Sequence, residues 1–413
     1  MAAQGLRVLA VAYRTLSNSP IPIEFPEDQV ERDLIFVGLA GMIDPPREEV
    51  KKAVETCRSA GVKTIMITGD HKLTATTIAK ELGILGDRGR VLTGSELDNI
   101  SDHEFYHIVE DVPVYARVSP EHKMRIVKAL KAKGHAVAMT GDGINHAPAL
   151  KSADIGIAMD ITGTDVTKEA SDMILADDNF ASIISAMEEG RAIYDNIKKY
   201  IAYLLSCNVG EILTMFVAGL LAWPLPLVAV QLLWVNLTTD GLPALALGVD
   251  PADPAIMKRP PRNPGESVFT RPTKLLIFWI ATLMTLILLP TFQWANQAKG
   301  LLYAQTMIFT TVVMFEMFNA FNCRSERHPI SRIGFFTNRW LVAAVTTSIL
   351  MQLIVLYTPA FDILFETLPL SLTDWLIIIP LSPTPLITTE LVKLLFPQRQ
   401  HVSVNGSTTP AFA

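Results

Sequence analysis

The sequence predicts two structural classes in one chain: an α/β domain built on a doubly wound parallel sheet, then an α-helical transmembrane domain of six helices. Three observations predict it. Half of the 413 residues are hydrophobic and the mean hydropathy is +0.32, too apolar for an ordinary soluble enzyme. Charged residues crowd into positions 1–200, whereas most of the remainder reads in long apolar blocks. Within 33–180, strand-like and helix-like stretches alternate, as βα units do. A net charge of −6 and a pI near 5.8 give no sign of a nucleic-acid surface. Cys57, Cys207 and Cys323 stand far apart, which argues for reduced thiols over a disulfide framework or a zinc site. The opening MAAQGLRVLAVAYRT lacks the small-residue cleavage site of a signal peptide.

In the α/β half, LIFVGLAGM (34–42), KTIMITGD (63–70), HAVAMTGDG (135–143) and DIGIAM (154–159) read as buried strands. PREEVKKAVETCRSAG (46–61), HKLTATTIAKELG (71–83) and PEHKMRIVKALKAKG (120–134) read as helices, with opening Pro and closing Gly as punctuation. Two strands end in the same word, Thr68-Gly69-Asp70 and Thr140-Gly141-Asp142. Each presents a hydroxyl, a flexible backbone and a carboxylate at a strand tip, where open α/β sheets place their ligands. Together with Lys123 at the start of a helix, they point to a phosphate clamp in which the lysine neutralises charge.

Six apolar segments follow, at 198–221, 226–247, 274–294, 303–323, 339–358 and 371–396, each near the ~20 residues a bilayer requires. The second connection carries Lys258, Arg259, Arg262, Arg271 and Lys274, and the fourth carries Arg324, Arg327, Arg332 and Arg339. The first and fifth carry no basic residue and the third has Lys299. The positive-inside rule therefore predicts a multi-pass protein in contact with lipid, with the α/β half and both chain ends in the cytoplasm. Inside the spans, Asn208 and Glu211 share a helical face, as do Asn236, Thr239 and Asp240, and the fourth span contains Glu316 and Asn319. Buried carboxylates are costly in hydrocarbon and mark ion pathways, so Glu211, Asp240 and Glu316 are read as ligands of a hard cation such as Ca2+. Asn319 is read as an interhelical hydrogen bonder. Gly241-Leu242-Pro243 is expected to loosen the helix after Asp240 and free backbone carbonyls there.

These stretches carry a resemblance. DPPR (Asp44–Arg47), TGD (Thr68–Asp70), ARVSPEHK (Ala116–Lys123), TGDG with Asn145 and APAL, ADDNF (Ala176–Phe180), EEGRAIYDN (Glu188–Asn196) and QLLWVNLTTDGLPA (Gln231–Ala244) occur in the order found in P-type cation-transporting ATPases. The chain resembles the carboxyl-terminal half of such a protein, in the calcium-pump group. The resemblance implies a tail of a nucleotide-binding domain at 1–24 and a haloacid-dehalogenase-like phosphorylation domain at 25–185. A stalk with six transmembrane helices at 186–396 and a cytoplasmic tail at 397–413 complete the division, in a plasma-membrane protein. It implies Thr68, Gly69, Asp70, Lys123 and Asn145 as catalytic, with Thr68 and Lys123 holding a phosphoryl group. Asp142 would bind Mg2+, and Arg7 and Arg117 would contact ATP. Asn208, Glu211, Thr239, Asp240 and Glu316 would form one complete Ca2+ site, and Asn236 with Asp240 half of a second.

Three departures qualify the resemblance. The family's DKTGT, which carries the phosphorylated aspartate, occurs nowhere in these 413 residues. A transport cycle without that aspartate is not expected, unless an amino-terminal half supplies it in trans. The alternative function is a non-catalytic cation-binding membrane partner or regulator. Second, Asp160-Ile161-Thr162-Gly163-Thr164 resembles DKTGT by eye but lacks the lysine and follows the Mg2+ motif. It is read as a strand end, strained if Asp160 needs positive φ. Third, His146 stands where the family has Asp. An imidazole supplies no negative charge and, protonated, would oppose Mg2+, so the site is expected to keep its frame and lose its chemistry.

Overall fold

The computed structural model describes residues 1, 6–15, 31–42, 45–87, 89–263, 265–325 and 328–395. Asp44, the Arg7 side chain and the 397–413 tail lie outside the described residues. The chain divides into two compact units, Met1–Met187 with Met257–Pro264, and Glu188–Ile256 with Gly265–Ala413.

In the first unit, β1 (Arg7–Tyr13) and β2 (Ile35–Met42) pair antiparallel as a two-stranded ribbon. LIFVGLAGM is thus a strand, but a largely exposed one outside the parallel sheet. A continuous apolar run encodes extended backbone and not the partner it takes. The parallel strands form two three-stranded sheets: β3 (Met66–Ile67), β5 (Val114–Ala116) and β4 (Val91–Thr93) in that order, and β6 (Ala138–Gly141), β7 (Ile155–Met159) and β8 (Met173–Leu175). Helices α1 (Glu48–Ser59), α2 (Lys72–Glu81), α3 (Gly94–Asp98), α4 (Asp102–Ile108), α5 (Pro120–Ala132), α6 (Ala147–Ser152) and α7 (Asp165–Glu169) connect or flank them. α5 shows how the sequence sets its ends. Ser119 accepts from the His122 amide, Pro120 fills the first turn, and Gly134 leaves at φ +86°. Its buried face, Ile126 and Val127, meets two cores. Ile126 packs with Leu97, Phe105 and Tyr115, and Val127 with Met139 and Leu150. Ile67 touches both cores, so the strand before Thr68 and the strand before Asp142 share apolar packing.

The second unit is helical. α8 (Phe180–Leu220), which begins in the first unit, is followed by α9 (Ala229–Trp234), α10 (Gly241–Gly248), α11 (Arg271–Lys299), α12 (Leu301–Asn322), α13 (Ile330–Ile333), α14 (Arg339–Tyr357), α15 (Pro359–Phe365), α16 (Leu372–Leu381) and α17 (Thr384–Leu395). Among the described residues five helices are long and apolar enough to span a membrane: α8, α11, α12, α14 and the run Leu372–Leu395. The sixth expected segment, 226–247, is helical but broken by a π turn at Val235–Thr239, so no single helix there reaches spanning length. The chain is a multi-pass membrane protein. α12 is its centre: 78% of its apolar window is buried inside the bundle, against 22–44% for the other four.

Candidate functional site

Pro243 shapes the membrane site. It has no N–H for the carbonyl four residues back, Thr239 O, and Ser348 Oγ donates to that carbonyl instead at 3.2 Å. The residues before it widen into the π turn, closed by Asp240 N–H donating to Val235 O at 2.9 Å. Such turns shift side chains out of the α register and are frequent at functional sites. The irregularity therefore precedes Asp240, whereas the sequence placed it at Gly241–Pro243, which here open the regular helix α10.

Asp240 and Glu316 are fully buried and Glu211 is 4% exposed. Tyr203 Oη donates to Asp240 Oδ1 at 2.6 Å, and Asn236 Nδ2 donates to Glu211 Oε2 at 2.7 Å. Asp240 Oδ2, Glu211 Oε1 and both Glu316 oxygens have no hydrogen-bond partner. Ligand atoms of Cys207, Asp240 and Glu316 lie within 4.8 Å of one another. Four orphaned carboxylate oxygens in a membrane interior are expensive unless compensated. Protons or a cation can compensate them, and only a cation engages several at once, so the donor set fits a hard divalent ion. Thr239 Oγ1 donates to Val235 O and Asn208 Nδ2 to Leu204 O, which leaves an oxygen lone pair of each side chain to accept or ligate. Asn319 Nδ2 donates to Ser206 Oγ at 2.8 Å, an interhelical hydrogen bond between α12 and α8.

In the first unit, β6 ends at Gly141, where a Cβ would come within 2.5 Å of His146 Cβ. Glycine is what lets His146 fold back over the strand end. His146 Nε2 lies 2.6 Å from Lys123 Nζ, and Nδ1 lies 3.2 Å from both the amide and Oδ1 of Asp142. Burial, then the Lys123 charge, pushes the His146 pKa down, so the ring is neutral. The Asp142 N–H donates to His146 Nδ1, and Nε2 faces Lys123 Nζ. Burial also lowers the Lys123 pKa, opposed by Asp142. The imidazole therefore bridges Lys123 and Asp142 without adding a charge of its own. Nor does its side chain cap α6. The residues present do not by themselves fit Mg2+: Asp142 is the one carboxylate on this bridge, and an ammonium stands behind the imidazole.

Thr68 Oγ1 donates to Asp70 Oδ2 at 2.8 Å, and the Arg117 amide, at φ +49°, donates to Asp70 O. Among the described residues no hydrogen bond links this group to the Lys123–His146–Asp142 chain. Gly69 and Asn145 are exposed. The DITGT stretch is occupied by other work. Asp160 accepts from Lys168 Nζ at 2.7 Å, the Ile161 and Thr162 amides donate to Asp178, and the Thr164 amide donates to Asp142 O at 3.0 Å. Asp160 has no positive φ, so the expected strain is absent; Asp178, at φ +49°, carries it.

Two families match separate parts of the chain: "haloacid dehalogenase-like hydrolase" at residues 19–154 and "Cation transporting ATPase, C-terminus" at residues 224–395. The second covers the π turn and Asp240 and Glu316, and the first covers Thr68, Lys123 and Asp142. The chain is similar, part by part, to the carboxyl-terminal half of cation-transporting ATPases. It is 50% identical over 391 residues to a calcium-transporting ATPase of Bacillus subtilis, covering 93% of this chain and 43% of that protein. It is 49% identical over 410 residues to calcium-transporting ATPase 1 of Bacillus cereus, covering 95% and 46%. To calcium-transporting ATPase type 2C member 1 of Homo sapiens it is 41% identical over 411 residues, covering 99% and 43%. The chain thus spans about half the length of the curated relatives it matches. Sequence reasoning missed Tyr203, Cys207 and Ser348. The first two were findable, since Tyr203, Cys207 and Glu211 recur every four residues on one face of α8; Ser348 depends on a carbonyl freed by Pro243.

Proposed function

We propose that the chain is the cation-binding membrane half of an ATP-driven Ca2+ transporter, with a neighbouring α/β domain able to hold, but not by itself form, a phosphoryl group. The observation that carries the reading is the set of orphaned carboxylate oxygens on Glu211, Asp240 and Glu316 inside the bundle. Coordination of one ion by Asp240 and Glu316 would tie α12 to the π turn, so ion release would require those elements to part. In this reading ATP is the energy source and Mg2+ its companion. Both chain ends face the cytoplasm, in a plasma membrane, consistent with the basic second and fourth connections. The acceptor aspartate of such a transporter lies in a DKTGT stretch that these 413 residues do not include.

Labelled ATP tests this. The chain alone is expected to form no phosphoenzyme, and membranes co-expressing the amino-terminal half of a relative are expected to form one that depends on Ca2+ and on Asp240. A phosphoenzyme from the chain alone, lost in Asp160→Asn, would refute the division of labour. Complementation without dependence on Asp240 would refute the cation assignment.

A further inference from the structure

Cys207 lies on the same face of α8 as Glu211, is 1% exposed, and has its Sγ within 4.8 Å of a carboxylate oxygen of Asp240 and one of Glu316. A buried cysteine most often packs as a small hydrophobe. Here the surroundings differ. The neighbouring carboxylate oxygens, Asp240 Oδ2 and both of Glu316, have no hydrogen-bond partner, and Glu316 is fully buried. Asn319 Nδ2 stands 3.6 Å from Sγ as a donor, the orientation that favours a thiolate. Tyr203 Oη holds Asp240 Oδ1 and leaves Oδ2 without a hydrogen-bond partner. Among the described residues this is the one group of three or more His, Cys, Asp or Glu side chains with metal-ligand spacing.

We propose that Cys207 is a ligand of the membrane cation site, and that its sulfur opens an otherwise oxygen-lined site to a thiophilic divalent cation of Ca2+-like size, of which Cd2+ is the probe. This rests on the reading of Asp240 and Glu316 as cation ligands and adds the sulfur. Softness decides the preference: a thiolate contributes little to Ca2+ or Mg2+ and much to Cd2+ or Zn2+. On binding, the Cys207 S–H bond breaks, its proton leaves to solvent, and the sulfur lone pair forms the metal–sulfur bond with no change in oxidation state. The site therefore binds Ca2+ through oxygens alone, and binds Cd2+ at the same place with one proton released.

The test uses the full chain in detergent with CdCl2, read by the ultraviolet thiolate-to-cadmium charge-transfer band and by competition with labelled Ca2+. Cd2+ is expected to produce the band, to displace Ca2+, and to lose both effects in Asp240→Asn. Loss of an outer-sphere partner alone costs about 10–100-fold in metal affinity, so Cys207→Ser is expected to weaken Cd2+ at least about tenfold. The same variant should leave Ca2+ binding within about twofold, since sulfur adds little for a hard ion. Cys57→Ser and Cys323→Ser should keep the band. The 113Cd chemical shift of the unsubstituted chain reports sulfur ligation without any variant, and an all-oxygen shift would overturn the proposal. So would a band that survives Cys207→Ser, or Cd2+ that fails to compete with Ca2+. Ca2+ binding lost in Asp240→Asn, with no thiolate band, refutes the sulfur and spares the cation site; absence of both Ca2+ and Cd2+ binding refutes both.

Discussion

Replacing His146 with Asp should turn the Lys123–Asp142 bridge into a divalent-metal site. In the native chain the ring is neutral, 3.2 Å from Asp142 Oδ1 and 2.6 Å from Lys123 Nζ. An aspartate oxygen there would stand near the position of Nδ1, beside Asp142 Oδ1. Asp142 is 57% exposed, so the effective dielectric is close to that of water. Two unit charges about 4 Å apart then interact by about 1 kcal/mol, and a divalent ion gains about 2 kcal/mol from the added carboxylate, roughly thirtyfold in affinity. The helix α6 amino end favours the carboxylate by a further ~0.3–1 kcal/mol before metal binds, which stabilises the variant and leaves the metal comparison unchanged. His146→Ala is the control. It removes the ring without adding charge, leaves Lys123, 8% exposed, short of its acceptor, and should gain no metal affinity. The assay is titration with Mn2+, whose paramagnetic resonance signal falls on binding, in an Asp240→Asn background that silences the membrane site. Equal Mn2+ affinity in His146 and His146→Asp chains would refute the view that the imidazole is what denies this site its metal.

Other outcomes are equally specific. Asp250 is buried and accepts from Lys199 Nζ at 2.8 Å, Arg324 Nε at 3.0 Å and Asn338 Nδ2 at 2.9 Å. Asp250→Ala strands a buried Arg324, and should cost about 3–5 kcal/mol, seen as a lowered thermal midpoint in detergent. Lys72, then the Thr93 amide, hold the Glu96 pKa down at about 2 against 4.5. A depressed carboxylate stabilises above its unfolded value and loses that as pH falls toward the folded one. Because Glu96 is largely exposed, the effect discounts to about 0.5–1 kcal/mol. Hydrogen exchange of the 96–99 amides, corrected for intrinsic rates, should be faster in Glu96→Gln at neutral pH, the difference shrinking between pH 4.5 and about 2. Tyr203→Phe removes the hydroxyl that fixes Asp240 and should weaken Ca2+ binding by about 10–100-fold, measured by equilibrium dialysis.

What the sequence revealed depended on whether the determinant was local. Helices α1, α2 and α5 were legible because caps and terminal glycines write their ends into the chain; Gly61, Gly83 and Gly134 all take positive φ beyond them. Strands β4, β5 and β8 are three residues each, too short for a period to show. The partner of β2 was not legible, since pairing is a tertiary choice. Glu211, Asp240 and Glu316 could be picked out because a carboxylate in hydrocarbon needs a reason. The state of His146 could not, because its neutrality comes from burial beside Lys123, which is 23 residues away.

Equilibrium binding of radioactive Ca2+ to the purified chain in detergent tests the central claim most directly. Saturable binding is predicted, abolished in Asp240→Asn and Glu316→Gln and retained in Asn319→Ala, whose side chain bonds Ser206. Binding that persists in both carboxylate variants, or that is lost only in Asn319→Ala, would contradict a cation site built from the buried carboxylates.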